Sequence, residues 1–184
     1  MKNIRIFSFL CVLFITIELY AQDTVSTSPV IDKISLGIGM GMDYGGFGGN
    51  LTIFPSNNVG VFAGLGYAFA GAGYNVGVKL RSVPKTTQKK YSAFGLLMYG
   101  YNAAVAVMDA SQYNKFFYGP TIGIGVDYRS DSKTKGYWSA AFFVPVRSSD
   151  VSDYIDDLKS NHGVEFKTGL IPIAFSIGYR FNLN

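Results

Sequence analysis

Residues 34–42 read "ISLGIGMGM": large apolar side chains stand at every even position, and serine or glycine at every odd one. A period of two is the signature of a β-strand with unlike faces. Glycine weakens a strand interior, because it gains no packing and loses the most conformational freedom. A face built largely from it must look onto a space that large side chains would overfill.

The pattern recurs. Eight segments alternate in this way and are parted by turn-rich stretches: 33–44, 48–54, 59–70, 72–81, 90–107, 117–129, 136–146 and 170–183. In the fourth, Tyr74, Val76, Val78 and Leu80 oppose Gly73, Asn75, Gly77, Lys79 and Arg81. In the sixth, Ile122, Ile124, Val126 and Tyr128 oppose Thr121, Gly123, Gly125, Asp127 and Arg129. In the fifth, Phe94, Leu96 and Met98 share the face of Ser92 and Asn102, which places a bulge or register change near Gly95. Gly, Ala, Ser, Thr and Asn dominate the small face, with Asp43, Lys79, Arg81, Asp127, Arg129 and Arg180 as its charges. The skin of a soluble barrel carries charge at about 25–35% of its positions. The small face therefore belongs inside a narrow barrel and the fat face outside, toward lipid.

The N-terminal residues agree with export. Lys2 and Arg5 precede an apolar run over 6–17, and Ala21 stands at a cleavage point, so residues 1–21 read as a secretory signal peptide. Residues 22–32 follow as a periplasmic leader and 33–184 as the barrel domain. Cys11, the one cysteine, lies within the signal, so the mature chain has no disulfide, cysteine zinc site or thiol nucleophile. The net charge of +4 carries no basic run, and with export this argues against nucleic-acid binding. Outside the signal no apolar stretch is long enough for a membrane helix, so any spanning structure is built from strands.

If the first strand runs outward, the fat-face aromatics fall into two rings. Tyr44, Phe69, Tyr74 and Tyr118 lie near the outer rim, and Tyr91, Tyr128, Trp138 and Phe181 near the inner one. The longest connection, 147–169, then lies outside. In it Val151, Tyr154, Ile155 and Leu158 have helical spacing after a Ser149/Asp150 cap, with Gly163 beyond the end. This short helix either caps the barrel mouth or meets an extracellular partner.

With these features, and ending in "SIGYRFNLN", the chain resembles the small eight-stranded outer-membrane β-barrels of the OmpA and OmpX kind. Members of that family end in a strand read by the barrel-assembly machinery, and its pattern matches Ser176, Gly178, Phe181 and Leu183 here. The resemblance implies an all-β, antiparallel transmembrane barrel in a bacterial outer membrane, with lipid and the assembly machinery as its partners. The expected role is non-enzymatic, structural or surface-interacting. A narrow pore or transporter for small or hydrophobic molecules is one alternative, and a soluble periplasmic ligand-binding barrel with reversed faces is another.

No catalytic, cofactor or metal site emerges. His162, the sole histidine, stands near Asp150, Asp153, Asp156 and Asp157 in the outer loop, and those carboxylates lack the alternating spacing of a calcium loop. The glycines of "GIGMGMDYGGFGG" alternate within a strand instead of opening a helix, so they form no phosphate loop. Lys79, Arg81, Asp127, Arg129 and Arg180 form the candidate lumen cluster, either an ion-paired plug or the lining of a gated pore.

Overall fold

Alternation that repeats with short connections lets each strand pair with the next, and the sheet has no free edge if the last strand returns to the first. The computed structural model, which describes residues 31–68, 70–83, 90–105, 107, 110–130, 136–162, 164 and 171–183, has this form. Its strands are β1 (Ile34–Gly41), β2 (Gly46–Ile53), β3 (Val59–Tyr67), β4 (Ala72–Arg81), β5 (Tyr91–Val105), β6 (Lys115–Tyr128), β7 (Gly136–Pro145) and β8 (Ala174–Asn182). Each pairs antiparallel with its neighbours, and β8 pairs with β1 from Ser35↔Asn182 to Gly41↔Ser176, closing the ring. The proposed signal peptide and most of the leader lie outside the described residues.

The two faces separate as the alternation requires. Ile38, Leu65, Val76, Leu80, Ile122, Phe142 and Ile177 stand outward and exposed, and their sequence neighbours turn into the bore. The core is therefore inside the ring. Met42, Phe62, Phe94, Leu96, Met98, Ala141 and Phe143 pack together there. The bore is more apolar than the glycine-rich reading of its wall implies. Phe94, Leu96 and Met98 do share the inner face with Ser92 and Asn102, but β5 stays in register through Gly95. The irregularity falls further along, between Tyr101 and Ala103.

Outward aromatics form two arcs. At the end where β1 starts and β8 finishes, Tyr91, Tyr128, Trp138, Tyr179 and Phe181 sit side by side, with ring centroids 5.0 Å apart for Tyr91 and Tyr128 and 5.4 Å for Trp138 and Tyr179. At the far end Tyr74 stacks on Tyr118 at 5.1 Å. Phe69 lies outside the described residues. Tyr44 departs from the expected ring, because β1 ends at Gly41 instead of running on to Tyr44. Gly41 adopts φ 124° and ψ −168°, a conformation open essentially to glycine alone. Met42–Tyr44 then form one 3-10 turn that dives into the bore, and Gly45 in the left-handed region returns the chain to β2. Tyr44 is completely buried and Met42 nearly so, inside and not on the outer face.

The long far-end connection carries α1 (Ser149–His162). It begins at Ser149 with Asp150 in its first turn, and the Ser148 hydroxyl donates to the Asp150 carboxylate at 3.2 Å. Val151 and Leu158 are buried against Ala103, Val105 and Phe117 of β5 and β6, with Tyr154 and Ile155 beside them. The Tyr154 hydroxyl donates to the Tyr113 carbonyl at 2.9 Å. The apolar stripe thus packs on the barrel rim. Gly163 lies outside the described residues.

Candidate functional site: a bore filled by ion pairs and an in-folded turn

Period-two strands aim Lys79 and Arg81 of β4, Asp127 of β6 and Arg180 of β8 into the bore, with Arg129 following at the end of β6. They do not form one cluster. Four cations with a single carboxylate would leave buried charge unpaired, which is strongly unfavourable. Two further carboxylates, Asp43 and Asp32, complete the pairing.

Nearest the start of β1, Asp32 is the hub. Its side chain is fully buried and accepts from Arg81 Nη1 at 2.5 Å, Arg129 Nη2 at 3.0 Å and the Tyr137 hydroxyl at 2.9 Å. Arg81 also donates to the carbonyls of Asn57 and Asp32, and its guanidinium lies 3.4 Å from the centre of the Phe54 ring. Arg129 covers the Tyr137 ring at 4.0 Å. Burial works to raise the Asp32 carboxyl, but Arg81, Arg129 and the Tyr137 hydroxyl outweigh it and hold the group below the usual carboxylate value. By sequence Asp32 falls at the end of the leader. It packs as part of the barrel.

Separately, Lys79 Nζ donates to both oxygens of Asp127, at 3.0 and 2.9 Å, and lies 3.7 Å from the centre of the Phe94 ring. The third group holds the in-folded turn. Arg180 donates to Asn50 Oδ1 at 2.9 Å, Thr52 Oγ1 at 2.8 Å and Asp43 Oδ2 at 3.1 Å. Asn75 and Asn50 donate to the carbonyls of Met42 and Asp43, each at 2.6 Å. These bonds satisfy peptide oxygens that the turn would otherwise bury unpaired.

The glycine wall follows from this turn. A Cβ on Gly66 would stand 2.5 Å from the Tyr44 carbonyl oxygen, and one on Gly73 2.6 Å from that of Gly45. Gly64 would press on the Asp43 carbonyl, while Gly37, Gly39 and Gly178 leave room for the Tyr44 ring. Hence the small face accommodates a segment of the same chain. Asp43 and the Gly45-Gly46 pair were the available signals for it: a charge on the small face beside a turn dipeptide.

The other sequence candidates separate. Ser176 and Gly178 of β8 face inward, Phe181 faces outward, and the amide of Leu183 donates to the Ile34 carbonyl at 3.0 Å, fastening β8 to β1. His162, at the end of α1, meets the Tyr113 ring edge-on at 4.9 Å, and Asp156 and Asp157 pair with Lys159 and Asn161. Among the described residues no group of three or more His, Cys, Asp or Glu is arranged to hold a metal ion.

A closed antiparallel ring of eight strands, apolar outside and filled inside by its own charges and turn, defines the class to which this protein belongs: a plugged β-barrel. Beyond that class, the chain matches no protein-family model, no curated protein and no solved structure.

Proposed function

We propose that the protein is a non-enzymatic bacterial outer-membrane β-barrel that serves a structural or surface-interaction role, with both termini toward the periplasm and α1 outside. The exposure of large apolar side chains around the entire ring carries this reading. Exposed apolar patches on soluble monomers rarely exceed a few hundred Å², and a continuous belt of this kind calls for lipid. The aromatic arcs at the two ends suit the two membrane interfaces. Strands of 8 to 15 residues bracket the ~9–11 that a tilted strand needs to cross the hydrocarbon. A soluble ligand-binding barrel would put its fat face inward, and the pore alternative needs an open bore where ion pairs and a tyrosine now stand.

Trp138, the only tryptophan, gives a direct test, since it is exposed on the outer surface in one aromatic arc. After folding with phospholipid vesicles, its fluorescence should shift blue and be quenched by lipids brominated near the head group. The folded form should also migrate faster on a gel before boiling than after. A chain that remains in the aqueous phase with unquenched Trp138 refutes the proposal. In planar bilayers the protein should conduct no measurable current, and steady single-channel steps would favour the pore.

A further inference from the structure

The far rim of the barrel is uneven. β5 and β6 rise to the pair Val105↔Lys115, whereas β8 begins at Ala174 and β1 ends at Gly41. α1 packs on the tall wall through Val151 and Leu158. A second face of the helix, at 152, 155, 156 and 159, overhangs the mouth. Beneath it lies a cleft of about 1350 Å³, larger than the ~300–1,000 Å³ of ordinary small-molecule sites.

Both sides of the sheet supply its walls. Ala103 and Val105 line it from the mouth and Ile155 from the helix, while Met40, Phe142 and Phe175 belong to the exposed outer surface. Among the described residues the cleft thus runs onto the apolar exterior on the side of β1, β7 and β8.

Arg147 gives the cleft its polarity. It is half-buried, and its Nε donates to the Asn102 carbonyl at 3.3 Å. Among the described residues no carboxylate lies within ion-pair distance of it. Burial draws its pKa below the ordinary guanidinium value. The other charges among the described residues of the cleft, Asp156 and Lys159, face each other at 3.5 Å and offset. A guanidinium has five donors in a fork that fits carboxylate and phosphate, and among the described residues only the Nε donor of this one is engaged.

We propose that the cleft binds an amphiphile with one acyl chain and an anionic head, the chain lying along Val105, Ile155 and Phe175 and the carboxylate or phosphate at Arg147. Entry is sideways over β8, from the surface assigned to lipid above, so the inference rests on that assignment.

The test uses the mature chain folded in maltoside micelles, titrated separately with a labelled 16-carbon fatty acid, a 16-carbon lysophosphatidic acid and an uncharged 16-carbon monoacylglycerol. Saturable one-site binding is expected for the anions, about tenfold tighter than for the monoacylglycerol, as one charge-assisted contact provides. Arg147→Gln should erase that preference and leave monoacylglycerol binding unchanged. Ser152→Trp, at an exposed helix position, should abolish binding of all three. Binding of only one of the anions supports the site and identifies the source of the head group. Equal affinity for charged and uncharged probes, or parent-like binding by both variants, overturns it. Heat-dependent gel migration confirms that each variant is folded. Trp138 quenching keeps the two proposals separate: a barrel that inserts into vesicles and does not bind refutes the cleft alone, while one that binds and stays in water refutes the membrane assignment.

Discussion

Asp32→Asn removes the charge on which two arginines and a tyrosine converge while keeping the side chain's shape. Its carboxylate is fully buried, Arg81 is nearly so, and Arg129 keeps 15% of its side-chain surface in solvent. Breaking a buried ion pair by deleting one partner costs about 3–5 kcal/mol. Here Arg81 keeps the carbonyls of Asn57 and residue 32, and Arg129 is partly hydrated, so a loss of about 2–4 kcal/mol is expected. With a urea slope near 2 kcal/mol/M, the unfolding midpoint in vesicles should fall by about 1–2 M. Arg81→Met in the same background should cost less than it does alone, with a coupling of about 1–3 kcal/mol, because the two side chains share one interaction. The pH dependence has a definite sign. The folded carboxyl titrates below its unfolded value of roughly 4, so its contribution is complete above that pH and is lost as pH falls through the lower folded value. The variant should show a flatter acid limb. A midpoint change under about 0.3 M, corresponding to the ±0.5 kcal/mol of an ordinary surface substitution, would refute the hub.

Gly64→Val should force the Met42–Tyr44 turn out of the bore and lower the folded fraction on heat-dependent gel migration, at a cost of at least ~1–3 kcal/mol. Asn75→Ala, which leaves the Met42 carbonyl without its donor, should cost about 1–3 kcal/mol by urea unfolding. Leu158→Ala should act locally: loss of about 2–5 kcal/mol of packing frees α1 for proteolytic cleavage within 147–169, while the barrel's unfolding midpoint stays near the parent's.

Strand number, order and sidedness were legible because one period-two rule governs all eight segments, and β4 falls at 72–81 as read. The helix was legible from Val151, Tyr154, Ile155 and Leu158, whose spacing no strand shares. The in-folded turn was not, because alternation carried through Gly41 puts Met42 and Tyr44 outside, and the φ of one glycine reverses both. Asp32 was hidden by lying one residue before the first alternating segment. The charge balance still pointed to it, since Lys79, Arg81, Arg129 and Arg180 outnumber Asp43 and Asp127. The apolar half of the bore escaped notice because Phe94, Leu96 and Met98 looked like a slipped register when they were the filling itself.

The position of Tyr44 bears on how the ring is made. Gly39 and Gly178 are partners across the junction of β1 and β8, the last pairing to form if strands add in chain order, and both lie against its phenol ring. Neither glycine could carry a side chain with that ring in place. A cylinder that shut without its tyrosine would carry a void along its own joint, where the first and last strands must hold.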